Sequence, residues 1–394
     1  MGTPYWLEQA PILSEPLAGE RSVDVVVIGA GITGTAAARL LVKSGITVGL
    51  VEARKVAYSA TGRNAGFILQ GTAERYNRAV ELMGRERAMA IHQYSLENHD
   101  AIKRCIKEDG IECGYKRRGS LQLAGTKEEE AELIESLELL NEDGFKAELR
   151  RDLPEHYREA GFNFGVFLPQ DGELHPAQYV RGCVRKLQEQ GLLLFEETSV
   201  QQLIDTPDGV TLICSNGSIK AQLAIVCTNA YLPQLLPVFK GKIDPVRGQM
   251  LATAPAPRLF EVPIYADHGY DYWRQDDQGR IVLGGWRNLD PEGEVGYEEL
   301  LHEDIQNNMR QFLNRFKALQ GIELTHSWSG IMGFSYDGLP LLGMVPNTSS
   351  TLVAAGFTGH GFGFGQLAGE AVAEVALEGS HPFASLLSCR RIIQ

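Results

Sequence analysis

Two kinds of hydrophobic spacing alternate along the chain, and together they predict where strands and helices lie. The stretch "VDVVVI" (23–28) is apolar and β-branched with almost no polar interruption, the pattern of a strand buried on both faces. "GAGITG" follows, and the Ala- and Leu-rich run 33–44 predicts a helix that Gly45 ends. "ITVGLVE" then reads as a second strand closing on Glu52, which completes a strand–turn–helix–strand unit. From about 74 to 150 the pattern is helical and charge-rich. There "TKEEEAELIESLELLNEDG" sets Leu133, Ile134, Leu137 and Leu140 on one stripe, and its acidic remainder reads as a solvated face. A helix is expected at about 176–190, then strands within "LLLFEETSVQQLI", "GVTLICSNGSIKA" and "LAIVCTNAYLP". Strands dominate 243–285, and a polar helix covers about 297–318. "STLVAAGFTGHGFGFGQLAGEAVAEVALEG" restores strand, glycine-rich turn and helix near the end.

Elements of a nucleotide-binding layer thus recur at both ends and in the middle. They predict an α/β protein (α+β overall) whose nucleotide-binding domain is discontinuous, with a second domain inserted in pieces.

Composition narrows the function classes. The 394 residues carry 44% hydrophobic and 22% charged side chains, an ordinary globular balance, and a formal net charge of -13. That charge argues against nucleic acid as a partner, and "YKRRGS" is too short a basic cluster to reverse it. The N-terminal stretch lacks the basic and apolar regions of a secretory leader. The longest apolar run, 23–42, is broken by glycines and Arg39, so no membrane span is expected and the cytoplasm is the expected location. Six scattered cysteines without a CxxC pair read as free thiols. His92 and His99 share a helical face that reads as exposed, and no metal site is expected.

Chemistry concentrates in the glycine turns. Gly29 permits the tight turn, Gly31 lets the backbone approach a pyrophosphate, and Gly34 lets helix and strand pack closely. The helix N-terminus offers amides and a positive dipole end to phosphates. Glu52, at the end of the second strand, can accept hydrogen bonds from both adenosine ribose hydroxyls and would repel a 2′-phosphate. The polar loop "ARKVAYSATGRNAGFI" can follow a diphosphate toward a flavin ring in the same domain, which favours FAD over NAD. The second turn, Gly359–Gly363, would aim helix-terminal amides at the pyrimidine edge of that ring, where reduced flavin carries negative charge.

With "VVVIGAGITGTAAARLL", "SATGRNAGF", "DGELHPAQYVRG", "VCTNAYLPQLLP", "IDPVRGQM", "WSGIMGFSYDGLPLLG" and "AAGFTGHGFGFGQLAGE", the chain resembles the D-amino-acid-oxidase superfamily of flavoproteins over nearly its whole length. Through "YWLEQAP", "GRNAGF", "LHPAQYVRG" and "GIEC...GSLQLA" it is most similar to the γ-glutamylputrescine oxidoreductase branch, with glycine and sarcosine oxidases more distant. The resemblance implies a Rossmann-like FAD domain with a parallel sheet, expected over 1–84, 152–230 and 325–394. It also implies a substrate domain with a large mixed sheet, over 85–151 and 231–324. It places Gly29, Gly31, Ile32, Thr33, Gly34, Glu52 and Ala53 on the ADP half. Arg54, Ser59, Thr61, Arg63, Asn64, Ala65 and Gly330 fall along the diphosphate and flavin. Val200 would meet adenine, and Gly359, His360, Gly361 and Phe362 the pyrimidine ring, with a plain structural donor as the secondary reading of His360.

Departures from the family pattern bear on attachment and substrate. Gly330 stands where covalent relatives carry cysteine, and no histidine occurs at Arg63–Asn64, which implies non-covalent FAD. Met332 replaces the arginine that clamps an amino-acid carboxylate, and Gly363 replaces a sarcosine-oxidase lysine; Arg274 or Arg287 can substitute. Val282 falls near the position of an oxygen-activating lysine, so O2 or another acceptor stays open. The implied reaction is oxidation of a C–N bond by hydride transfer to flavin N5, giving an imine that hydrolyses to an aldehyde. The small-molecule amine must be neutral, and deprotonating an alkyl ammonium at pH 7 costs roughly 4–5 kcal/mol. A dry aromatic wall would lower that cost, with Tyr270, Tyr272, Trp273, Trp286, Trp328 and Phe334 as its sources. The alternatives are an amino-acid or N-methyl-amino-acid oxidase and a redox-inactive scaffold stabilised by flavin.

Overall fold

The β-branched run lies within strand Gly19–Ile28, which pairs in parallel with Val48–Val51 on one side and Gly217–Val226 on the other. This computed structural model describes residues 3–8, 11, 12 and 14–393. Gln9 and Ala10 of "YWLEQAP", and Met1, Gly2 and Leu13 of the stretch read for a leader, lie outside it. The strand begins earlier than its apolar run because residues 19–22 are exposed and polar, held only by pairing with 217–220. Val26 and Val27 are fully buried, one on each face, as the unbroken apolar run requires. The sheet orders Leu341–Met344, Thr351–Ala355, Gly217–Val226, Gly19–Ile28, Val48–Val51 and Leu193–Phe195, with the ribbon Val200–Thr206 and Gly209–Cys214 attached to Gly217–Val226.

On this sheet the helix after the first glycine turn, Ile32–Lys43, lies against the helix after the second, Gly361–Glu378. Glycine makes that approach possible. A Cβ on Gly369 would stand 2.2 Å from the Thr33 carbonyl oxygen, and one on Gly365 would stand 2.9 Å from the Thr33 hydroxyl. Part of the glycine density near the end of the chain therefore serves helix packing.

A second eight-stranded sheet is mixed and mostly antiparallel. Its order is Leu324–Ser335, Ile243–Pro255, Arg280–Gly285, Asp271–Gln275, Ile264–Ala266, Ser120–Ala124, Phe164–Leu168 and Glu148–Arg150. Phe164–Leu168 and Leu324–Ser335 belong to it by their hydrogen bonding, although the boundaries expected above put both stretches on the flavin side. The 74–150 region is not wholly helical either. Its helices Tyr76–Met83, Arg85–Asp109 and Lys127–Glu142 are interrupted by strand Ser120–Ala124. The helix expected at 297–318 contracts to Glu303–Leu313, because 297–302 is a loop tied to the cavity below.

Two readings of exposed surface are corrected. His92 and His99 are buried, His92 against Phe145 and Tyr76, and His99 hydrogen-bonded to the Tyr115 hydroxyl. Glu129, in the acidic run, is buried as the ion partner of Arg75. All six cysteines are free, and among the described residues no helix is long and apolar enough to cross a membrane.

Candidate active site

A cavity of about 550 Å3 runs between the two glycine turns and on to the second sheet, within the range of cofactor-binding pockets. Every residue expected along the dinucleotide lines it except Gly34. Gly34 sits behind the turn, where a Cβ would stand 1.9 Å from the Gly29 carbonyl oxygen, so its role is close packing. Gly29 has φ +103°, and its amide donates to the Val51 carbonyl at 2.8 Å. A Cβ on Gly31 would stand 2.9 Å from the Thr61 hydroxyl.

At the floor of this end the Glu52 carboxylate accepts the amides of Ala30 and Arg54, each at 2.9 Å. Burial pushes its pKa up, and the two amides oppose that shift. A carboxylate offers about four acceptor positions, so two remain for a ligand hydroxyl. The Ile32 amide, first in its helix, donates to the Thr61 hydroxyl at 3.1 Å. The Thr228 hydroxyl lines the cavity and, among the described residues, has no hydrogen-bond partner.

Arg63 and Asn64 act differently from the other loop residues. The Arg63 guanidinium donates to the carbonyls of Tyr58 and Ser329 and pairs with Glu299 at 2.9 Å. Asn64 donates to the carbonyls of Ala60 and Thr61 and accepts the Gly66 amide. Both side chains thus hold the loop to itself and to strand Leu324–Ser335. Gly330 is required there, since a Cβ would stand 2.9 Å from the Cβ of Arg63. Glu299, which also pairs with Arg54 at 2.7 Å, has no periodic signature in the sequence.

At the far end Tyr265 and Tyr272 stack with centroids 5.6 Å apart, and Phe67 sets its ring edge-on to both. Burial pushes the Tyr272 hydroxyl up to about 12 and raises Tyr265 as well. Met332 lies between Gly248 and the turn at Gly359. His360 stands at the N-terminal boundary of helix Gly361–Glu378 without a side-chain capping bond; burial, with Arg287 as a lesser cause, drives it down to about 4 and keeps it neutral at pH 7. The Arg287 guanidinium stands 4.4 Å above the Tyr270 ring and 5.2 Å from the Phe334 ring, and no carboxylate among the described residues pairs with it.

Several expected pocket residues stand elsewhere. Arg274 is buried 3.3 Å from Glu173 and from the Gly66 carbonyl and lies over the Trp6 ring, so its charge is already engaged. Tyr270 touches the site only through Arg287. Trp273 and Trp286 pack on Phe312 in the core of the second sheet, and Trp328 is buried with its indole donating to the Arg63 carbonyl. The residues missed are Phe67, Tyr265 and Thr228. Tyr265 had a usable signal: it is the register partner of Tyr272 across the turn at 267–269, so the two rings share one face.

The chain is similar to known proteins over most of its length. The chain is 27% identical to the probable oxidoreductase OrdL of Haemophilus influenzae, covering 92% of this chain and 84% of that protein. It is 26% identical to γ-glutamylputrescine oxidoreductase of Escherichia coli, covering 89% and 83%. The glycine oxidase of Geobacillus kaustophilus superposes with a TM-score of 0.79 at 20% identity, over 95% of this chain and 100% of that one, a likeness of fold. The DAO family, described as FAD dependent oxidoreductase, matches residues 24–375, and the chain belongs to it.

Proposed function

We propose that this FAD-dependent oxidoreductase oxidises the C–N bond of an amine that also carries a carboxylate, and that Arg287 seats the carboxylate. The observation that carries the reading is Arg287 itself: a half-buried guanidinium, held flat by two rings, facing the cavity with no acidic partner among the described residues. An anion there would gain charge-assisted, bidentate hydrogen bonds. It would do what Met332 cannot.

The cavity fits FAD. The glycine cradle at Gly29 and Gly31 would be filled by a Cβ, and the buried Thr228 hydroxyl lacks a partner among the described residues. Gly29, Gly31, Ile32, Thr33, Glu52, Ala53 and Val200 would hold the ADP half. Arg54, Ser59, Thr61, Ala65 and Gly330 would line the diphosphate and ring, with Arg63 and Asn64 shaping that loop. The 359–362 turn would meet the polar ring edge. Without a cysteine at 330 or a histidine at 63 or 64, the cofactor is held non-covalently. When bound, FAD supplies the two-electron acceptor for the C–H bond next to nitrogen.

This chain's residues set the protonation state of the amine. The substrate end presents the Arg287 cation, neutral His360 and two protonated tyrosines. Burial and a like charge both disfavour an ammonium, so its pKa falls toward working pH. The phenyl and phenol walls exclude water until the imine has formed; hydrolysis then gives the carbonyl product and the released amine or ammonia. Because Arg287 bears electrostatically on both His360 and Tyr272, the carboxylate seat adjoins the second glycine turn. That proximity keeps a short amino acid or N-methyl amino acid as the second reading.

The test is the visible flavin spectrum, taken anaerobically before and after γ-glutamylputrescine, with glycine and sarcosine in parallel. Bleaching by the first alone supports a remote carboxylate. Bleaching by the small amino acids supports the second reading, and a spectrum unmoved by all three counts against amine chemistry.

A further inference from the structure

A smaller chamber of about 70 Å3 adjoins the substrate end and shares with it the wall of Leu69, Ala73, Tyr265, His268, Gly269 and His360. Its inner side holds Gln70 and His92. The Gln70 side chain is 9% exposed, and neither its carbonyl oxygen nor its amide nitrogen has a hydrogen-bond partner among the described residues. His92 is 4% exposed, and both of its ring nitrogens are likewise unpartnered. Buried polar groups are rarely left so. Two side chains with all their polar atoms free, lining one chamber, point to something that occupies it.

Size and charge narrow the occupant. The volume matches about two liquid waters or one planar polar group of a few heavy atoms. Of the charged groups around the chamber, Glu74 is exposed to solvent, and Asp171 and Arg75 are already engaged. Asp171 accepts the Gln70 backbone amide at 2.8 Å and the Ser120 hydroxyl at 2.6 Å, and Arg75 pairs with Glu129 and Glu132. Burial drives His92 down to about 4, so it is neutral. Among the described residues buried there, one carboxamide and one neutral imidazole have every polar atom unpartnered, and each offers both a donor and an acceptor. A neutral group that both donates and accepts answers them, and a planar amide in a substrate chain does so at the size of the chamber.

We infer that this chamber is a specificity subsite, in which Gln70 and His92 bind a neutral amide carried elsewhere in the amine substrate. The inference rests on the amine reading above and adds a second recognition element to it. Gln70 and His92 position the chain and leave the oxidation chemistry to the main cavity. A site built to hydrogen-bond a polar group rejects an analogue without it more sharply than an apolar pocket rejects a missing methylene.

The test follows anaerobic flavin bleaching by stopped flow with three amines of equal length. They are γ-glutamylputrescine, its analogue with two methylenes in place of the amide, and its reduced analogue with a secondary ammonium there. The expected result is half-saturation for the amide at least roughly 30-fold lower than for either analogue, the size of two buried hydrogen bonds. Gln70→Leu should cut that preference to roughly five- or sixfold by moving half-saturation, with the limiting bleaching rate for the amide substrate retained. His92→Phe, which can keep the ring contacts with Tyr76 and Phe145, should narrow it in the same way. Equal half-saturation for all three amines in the wild-type enzyme overturns the subsite and leaves the amine reading standing. So does a preference that Gln70→Leu leaves undiminished, and better binding of the reduced analogue overturns its neutral character. Failure of all three to bleach the flavin overturns the amine reading, and the subsite falls with it.

Discussion

Arg274 and Arg287 are two residues of one type that the sequence leaves equivalent, and their surroundings give them opposite jobs. Arg274 is spent on Glu173 and the Trp6 ring, while Arg287 lies between Tyr270 and Phe334 with its charge unanswered among the described residues. Replacing each by methionine, which keeps most of the side-chain length, should separate them. Arg287→Met removes a charge-assisted pair of hydrogen bonds, about 3 kcal/mol, so kcat/KM for a carboxylate-bearing amine should fall roughly 100-fold while urea stability holds. Arg274→Met leaves Glu173 buried with only the more distant Lys116 and Arg118, at 3.9 and 3.6 Å. Its expected cost is in stability, about 3 kcal/mol, the low end for breaking a buried pair. Urea melts of both variants beside steady-state kinetics check this, and a stability loss in the Arg287 variant would mean that its ring stack is structural.

Between the two glycine turns the contact is helix on helix, and there the glycines divide into two groups. Gly369 faces the Thr33 carbonyl at a distance no Cβ can share, whereas a Cβ on Gly361 would meet nothing within 4 Å. Gly369→Ala should therefore push helix Gly361–Glu378 off helix Ile32–Lys43, costing about 1–3 kcal/mol, and it should weaken FAD retention because Thr33 belongs to the first turn of the phosphate-facing helix. Gly361→Ala should change stability by less than about 1 kcal/mol and reduce FAD retention alone. FAD-to-protein ratio after gel filtration, with a thermal melt, distinguishes the two. The same elements show what a single chain can and cannot reveal. The strand–turn–helix units are legible because an unbroken apolar run, a glycine turn and an Ala-rich helix each carry their own local signature. Strand Ser120–Ala124 is hidden, since a five-residue "SLQLA" has too short an alternation to stand out between two charged helices. The aromatic wall fails for another reason. Successive strand residues face opposite ways, so Tyr272 enters the cavity while Trp273 enters the core, and only the pairing with Tyr265 fixes which face is which.

Across the whole molecule the buried titratable groups pull stability in opposite directions, and the balance predicts a domed dependence on pH. His92, His175 and His360 are driven down to about 4 and His99 to about 3, chiefly by burial. Their unfolded forms take up protons near pH 6.5 that the folded protein refuses. Their stabilisation is therefore complete above 6.5 and is lost as pH falls toward 4. Asp171, pushed up to about 7, and Asp271, pushed up to about 8, act the other way, again through burial, and Glu52 shifts in the same direction. Their folded forms keep protons that the unfolded chain has released, so stability declines as pH rises through those values. Between pH 4 and 6.5 these histidines outnumber the two aspartates, so the unfolded state holds more protons and stability should climb with pH. Above 6.5 the histidines are spent and the aspartates continue, so the curve should turn over near pH 6.5 and fall toward pH 8. Urea melts at pH 5, 6.5 and 8 measure both limbs. Asp271→Asn, at a carboxyl whose Oδ1 has no partner among the described residues, should flatten the alkaline limb and leave a fall on the acid side. A stability that rises steadily from pH 5 to 8 would mean that these two aspartates are ionised in the folded protein.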